Sequence, residues 1–423
     1  MRTILKSGNS ILLMILSSVF INCTGKASGD TVSSLQPNPE IEEIDIDNAQ
    51  RCDEILFSSY FESPTVIALE TNSNCIIRNI QAIDYYEERF YILDDEANAL
   101  YVFSSDGSFI RTIGHEGNGH GEYMEISDFS IDREKGELYL WDEALDMALK
   151  YNINTGDYIS SVRTKRGGER SYSMQYYKGR LYVNNTSADE EDSHYLLREM
   201  DAETGQQLAT YLNADEYNKG WNFPIRFPHT IFYSKNSDAP KFVEMFSDTI
   251  VSVTADGIVP SYVVRSHDFV TKEDIACIVK GTSDYLNIDM EALAERNRIS
   301  HISRFTDLKD GVYFEYMHGD DNYYLFYDSL QGKATVSSRL INDYVAKDLN
   351  VPMNICYSDD RGILAFIMPS HMSYFINNVV RGGKLELDEN SCSVLNNLDE
   401  ESNPILLYHK YRESGHLLPQ CQQ

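Results

Sequence analysis

His115, His120 and Glu122 fall within eight residues of one another, and two imidazoles with a carboxylate at that spacing could converge on zinc. Gly114, Gly117, Gly119 and Gly121 interleave with them, so the same stretch also reads as a compact structural turn. Trp221, Phe223 and Arg226 make a second candidate group, and His301 with Arg304 a third. A tryptophan beside a planar cation donor suits a sugar ring or a carboxylate, although either group would serve equally as packing. Asp94, Asp95 and Asp142 end short strands at matching positions. Aspartates so placed could form a cation-binding rim, or simply shape turns. The candidate ligand-binding residues are therefore His115, His120, Glu122, Trp221, Arg226 and Arg304, with no metal centre assigned.

The familiar catalytic signatures are missing. The chain has no GxSxG elbow, no HExxH helix, no P-loop and no GxGxxG following a strand. Catalytic residues stay unassigned, and no cofactor is identified, although a divalent cation is compatible with the acidic positions.

The N-terminus reads as an export signal over residues 1–22. Arg2 and Lys6 provide a basic start, Ile11 to Phe20 an apolar run, and polar sequence opens at Thr24. The run is about half the roughly 20 residues that a spanning helix needs. Residues 23–50 are rich in Ser, Gly, Pro, Asn and acids, which is the composition of a flexible tether. The folded body is expected over 51–415.

Composition narrows the partners. The formal charge is −30, and removal of Arg2 and Lys6 with the signal takes it to −32. Such a surface repels phosphate backbones, so nucleic acid is excluded as a partner. The 29 Tyr and 18 Phe favour strands, where flat rings fill a pleated, half-buried surface. Six cysteines follow Cys23, none in CxxC spacing. They are expected to be mostly buried free thiols, with Cys52–Cys75 the first disulfide to test.

A repeat supplies the architecture. Arg89–Asp95 is echoed by Glu137–Glu143 and by Arg180–Asn185, each a short strand centred on a tyrosine. Turn glycines follow at Gly107, Gly156 and Gly205, spaced 49 residues apart, then at Gly257 and Gly332. Units at 80–114, 124–164, 172–212, 229–265, 302–340 and 353–368 make five full blades and one partial blade. Orphan strands at Thr65–Glu70 and Pro404–Tyr411 complete the last one and close the ring. The fold class is therefore all-β, a six-bladed β-propeller with short helical insertions. Helices are expected from Thr271 to about Arg298, with a Thr271–Asp274 capping box, and over Ser370–Val380.

Several of these segments carry a family resemblance. Phe20-Ile-Asn-Cys23 resembles a bacterial lipobox, which implies lipid attachment at Cys23, although Asn22 is larger than the residue usual there. Phe103–Gly114 continuing through His115–Tyr123, Phe246–Ile250 and Asn403–Leu407 resemble the six-bladed β-propeller lipoproteins of Bacteroidetes, relatives of NHL-repeat propellers. His120 stands where that family usually has Pro. The resemblance implies a propeller of the cell envelope, and the anchor, the tether and the missing catalytic signatures point to a membrane-anchored protein that binds a ligand or a partner, whether glycan, peptide or envelope protein. Thr24 to Gly29 lacks an acidic run, which tilts the location to the periplasmic side of the outer membrane. NHL-like propellers include metal-assisted lyases and lactonases. That alternative requires carboxylates and histidines from several blades to converge at the ring axis.

Overall fold

The computed structural model describes residues 35–412 except 165–170, 186–193, 222–230, 283–284, 346–350, 352 and 383–384. Six sheets stand radially as the blades of a β-propeller. Blade 1 comprises Ala82–Tyr86, Arg89–Asp94, Ala99–Ser104 and Phe109–Ile113. Blade 2 spans Ile126–Asp132 to Tyr158–Arg163, blade 3 Met174–Tyr177 to Gln207–Asn213, and blade 4 Phe232–Tyr233 to Gly257–Arg265. Blade 5 runs from Ile299–Leu308 to Lys333–Ser337. Blade 6 joins Asn354–Ser358 and Gly362–Phe366 to Ile405–Lys410 and Thr65–Ala68. First strands of blades 2 and 3, 4 and 5, 5 and 6, and 6 and 1 touch one another around the axis.

The sequence pattern follows from each strand's place in its blade. Second strands such as Arg89–Asp94 and Glu137–Asp142 are buried along nearly their whole length, because adjacent blades cover both faces. Fourth strands such as Phe109–Ile113 and Tyr158–Arg163 alternate between exposed and covered positions. The repeated glycines close the hairpins between third and fourth strands, all at positive φ. Gly107, at φ +88°, also passes so close to blade 6 that a Cβ would lie 2.1 Å from the Ala68 carbonyl oxygen. Only glycine meets both demands there.

Ring closure matches the expected pairing. Ile405–Lys410 lies between Gly362–Phe366 and Thr65–Ala68, so the two ends of the chain share one sheet and leave no open seam. His409, on this strand, is buried between Glu62 O at 3.0 Å from Nδ1 and Asn342 Nδ2 at 2.9 Å from Nε2. Nδ1 therefore donates and Nε2 accepts, a pattern that only the neutral ring satisfies.

Four expectations need correction. The segment assigned to the tether is packed structure from residue 35 onward. Gln36 N bonds Ile258 O, Glu42–Asp45 adds in parallel to blade 4 and Gln50–Arg51 to blade 5. Ile44 and Ile46 are buried, so two apolar anchors among acids suffice to dock a polar segment on open strand edges. The insertion after Thr271 is not continuous helix: the strands Val279–Thr282 and Tyr285–Ile288 form a hairpin between Lys272–Ile278 and Met290–Glu295. Gly281 and the β-branched residues around it favour that break, while the Thr271–Asp274 capping box forms as expected. Cys75 is a free thiol and Cys52 is disulfide-bonded elsewhere, so the Cys52–Cys75 bridge does not form. Nor are the described free thiols mostly buried: Cys75 is, but Cys277 is exposed and Cys356 and Cys392 are half-buried. The helix expected at Ser370–Val380 is present as Pro369–Phe375 continuing into a wider turn, and a further helix occupies Glu389–Asn396.

Candidate functional site

First strands of blades 1, 4, 5 and 6 line an axial pocket of about 630 Å³ including its mouth. Its wall mixes rings and aliphatic groups (Phe232, Tyr233, Tyr357, Ile83) with Asp84, Lys235, Asn236 and Arg304. Mostly apolar walls with a few convergent polar groups are the composition of a ligand site.

The charges at this pocket are held in pairs. Arg133 reaches Asp84 at 2.5 Å from the turn ending the first strand of blade 2, and its guanidinium also lies over the Tyr86 ring. Lys235 Nζ donates to Asp128 Oδ1 at 2.5 Å and to the carbonyls of Phe129 and Met174 at 2.9 and 3.1 Å. Asp128 is fully buried and also accepts from Ser173 Oγ and Met174 N, so one ammonium links blades 2, 3 and 4 at the axis. Arg304 stands at φ +50°, where the first strand of blade 5 slips register against its neighbour. The bulge turns its guanidinium toward Glu315, with Nε 3.6 Å from Oε1.

Reactive groups at the pocket are subdued. Burial pushes the Cys356 thiol up to about 12, which leaves it protonated and non-nucleophilic at neutral pH. Burial likewise raises the Tyr357 hydroxyl to about 12. Among the described residues no three His, Cys, Asp or Glu side chains gather as metal donors. The axial carboxylates Asp84 and Asp128 come from two blades and each already holds a cation.

The sequence candidates scatter. His115 and Glu122 meet at 2.9 Å, with the His115 ring 71% exposed, and Glu122 also accepts from Gly119 N at 2.7 Å. His120 packs edge-on against Tyr158. These contacts define a surface turn away from the axis. Trp221 is buried, edge-on to Phe246 within the core between blades 4 and 5. Arg304 alone of the five described candidates faces the axial pocket, and His301 is buried on the same strand. Phe223, Arg226 and Cys23 lie outside the described residues.

Asp94 and Asp142 are latches within the fold. Asp94 accepts the backbone N–H groups of Arg78, Asn79 and Ala97, and Asp142 those of Met124 and Leu145, pinning the incoming connection of each blade. Asn184 does the same for Tyr172 and Ser173 in blade 3. The Asp95 carboxylate instead accepts from the Asn79 side-chain amide. Glu244 occupies the matching place in blade 4, five residues before Thr249, as Asp94 precedes Ala99 and Asp142 precedes Met147. Its Oε1 is buried without a hydrogen bond, and burial raises its carboxyl to about 8, against smaller opposing contributions from Met245 N–H and Asn184.

Sequence reasoning missed Asp84, Asp128, Lys235 and Glu244. A usable signal existed for the first two, because each is an acid in the middle of a first strand whose nearest neighbours are apolar or hydroxyl-bearing, as in Ala-Ile-Asp-Tyr-Tyr and Ile-Ser-Asp-Phe-Ser. Lys235 lies in a loop that no periodicity marks.

The fold has solved relatives. An exported protein of Bacteroides fragilis superposes with a TM-score of 0.70 at 20% identity, over 88% of this chain and 100% of that one. A DUF4221-family protein of Bacteroides vulgatus gives a TM-score of 0.47 at 9% identity, over 83% and 97%. Comparison with curated proteins gave no match. Residues 41–410, which take in every blade and the N-terminal strand on blade 4, match the domain of unknown function DUF4934, and the chain belongs to that family.

Proposed function

We propose that this protein is an exported, membrane-anchored propeller that binds a small polar ligand at its axis and acts without catalysis. The observation that carries the binding role is the axial pocket, where four blades place rings, Asn236, Lys235 and the bulge-mounted Arg304 around one space. Protonated Cys356 and ion-paired Asp84 and Asp128 leave the pocket suited to holding a ligand rather than attacking one. The signal over residues 1–22, the lipobox cysteine Cys23 and the export noted for the Bacteroides fragilis relative support an envelope location. We assign the protein to the lipoprotein propellers of Bacteroidetes, on the periplasmic side of the outer membrane.

The test is native mass spectrometry of the mature protein, with Arg304→Ala as its pair, alongside turnover assays on lactones, glycans and amidated peptides with divalent cations. A retained small ligand that Arg304→Ala loses, with no turnover, is expected. Turnover that disappears on changing one pocket residue would sink the non-catalytic reading. Cys23→Ser moves the protein from the membrane to the soluble fraction; an unchanged distribution refutes the anchor.

A further inference from the structure

A second concave site lies at the seam where the ring closes. Tyr357, Leu364, Tyr408 and Thr65 pair in one unbroken row across all four strands of blade 6. Facing it, Tyr85 and Phe90 pair across the first two strands of blade 1. The two rows enclose a cleft of about 680 Å³ including its mouth, with Ile67, Ser105, Asp359 and Arg361 completing the lining. Tyr85 stands edge-on to Tyr357 at 6.2 Å and against Phe90 at 4.8 Å, so the rings are braced before anything binds.

The polar rim is electrically balanced. Asp359 accepts from the Arg361 guanidinium at 3.0 Å, from the Tyr408 hydroxyl at 3.0 Å, and from the backbone N–H groups of Arg361 and Gly362 at 2.9 Å each. Burial opposes ionisation of this carboxyl, yet these hydrogen bonds outweigh it and keep it below its ordinary range. Arg361 is 68% exposed and keeps N–H donors beyond the one given to Asp359. Ser105 and Thr65 add exposed hydroxyls.

We propose that this seam cleft binds one ring of a neutral carbohydrate. Aromatic faces take the ring's C–H surface, while spare Arg361 donors and the Ser105 and Thr65 hydroxyls meet its hydroxyl groups. A charged sugar finds no unpaired counter-charge among the lining residues and meets a chain of net charge −30, so selectivity is for the uncharged ring. The site is separate from the axial pocket, which among the described residues shares only Tyr357 with it.

The experiment is calorimetric titration of the mature protein with maltotriose, cellotriose, mannotriose and chitotriose, and with trigalacturonate and N-acetyltyrosinamide as contrasts. At least one neutral trisaccharide binds with a Kd of about 1 mM or tighter. Arg361→Ala and Tyr408→Ala each weaken it about tenfold or more, Thr65→Trp blocks the mouth, and Arg304→Ala at the axis leaves it unchanged. Arg361 and Thr65 are exposed, so their variants test the site even where Tyr408→Ala unfolds the seam, as a thermal melt shows. The proposal is overturned if no neutral trisaccharide binds at about 10 mM. It is equally overturned if trigalacturonate or the tyrosine amide binds in preference, or if binding survives Arg361→Ala and Thr65→Trp together. Loss through Arg304→Ala would move the sugar to the axis and overturn it as well.

Discussion

Glu244→Gln stabilises the protein at alkaline pH and leaves it unchanged in acid. The carboxyl is buried with one oxygen unbonded, and burial raises it from 4.5 to about 8. A folded value above the unfolded one means that the native state binds this proton more tightly. Stability from that proton is complete below pH about 4.5 and is lost as pH rises toward 8. Three and a half units amount to roughly 5 kcal/mol above pH 8, and about 3 kcal/mol is already lost at pH 7. Glutamine keeps the shape of the neutral acid and has no proton to lose. Urea unfolding of both proteins at pH 4.5, 7 and 9 should therefore give curves that coincide in acid and separate by about 3 and then roughly 5 kcal/mol. Parallel stability profiles across that range would refute the reasoning. They would show that water or a counter-ion reaches the carboxylate.

His409 predicts the opposite slope. Burial, the largest cause, lowers its ring from 6.5 to about 4, so its contribution is whole above pH 6.5 and falls away as pH drops toward 4, by about 2 kcal/mol at pH 5. Urea midpoints of His409→Gln measured from pH 7 to 4.5 should lack that decline; an identical decline places the acid sensitivity elsewhere. Gly107→Ala should cost at least about 2 kcal/mol more than Gly179→Ala. Both glycines have positive φ, yet nothing lies within 4 Å of a Cβ at Gly179, whereas at Gly107 the Ala68 carbonyl is in the way. Equal costs in denaturant unfolding would mean that the seam yields freely at Ala68.

How far the site was legible depended on what kind of pattern each residue belonged to. The blade units and the strands Thr65–Ala68 and Ile405–Lys410 carry alternating apolar residues and turn glycines, signals generated within a few residues of chain. Asp94 and Asp142 stood out for the same reason, and the structure makes them latches. The cluster of His115, His120 and Glu122 looked chemical because local spacing is visible, but four interleaved glycines fold it into its own turn. Residues 42–50 read as tether because acids and polar residues dominate there, while docking rests on strand edges contributed some 220 to 285 positions later.

The sequence by itself determined the net charge of −30, the six-bladed propeller and the strands that close it. These depend on composition and on short-range periodicity, which one chain displays directly. Only the tertiary structure decided which residues share a space. Lys235 meets Asp128 across 107 positions, Tyr408 meets Asp359 across 49, and Arg304 enters the axis because a bulge turns it there. Ring closure brings together first strands that are separated by whole blades, and that juxtaposition leaves no trace in local spacing.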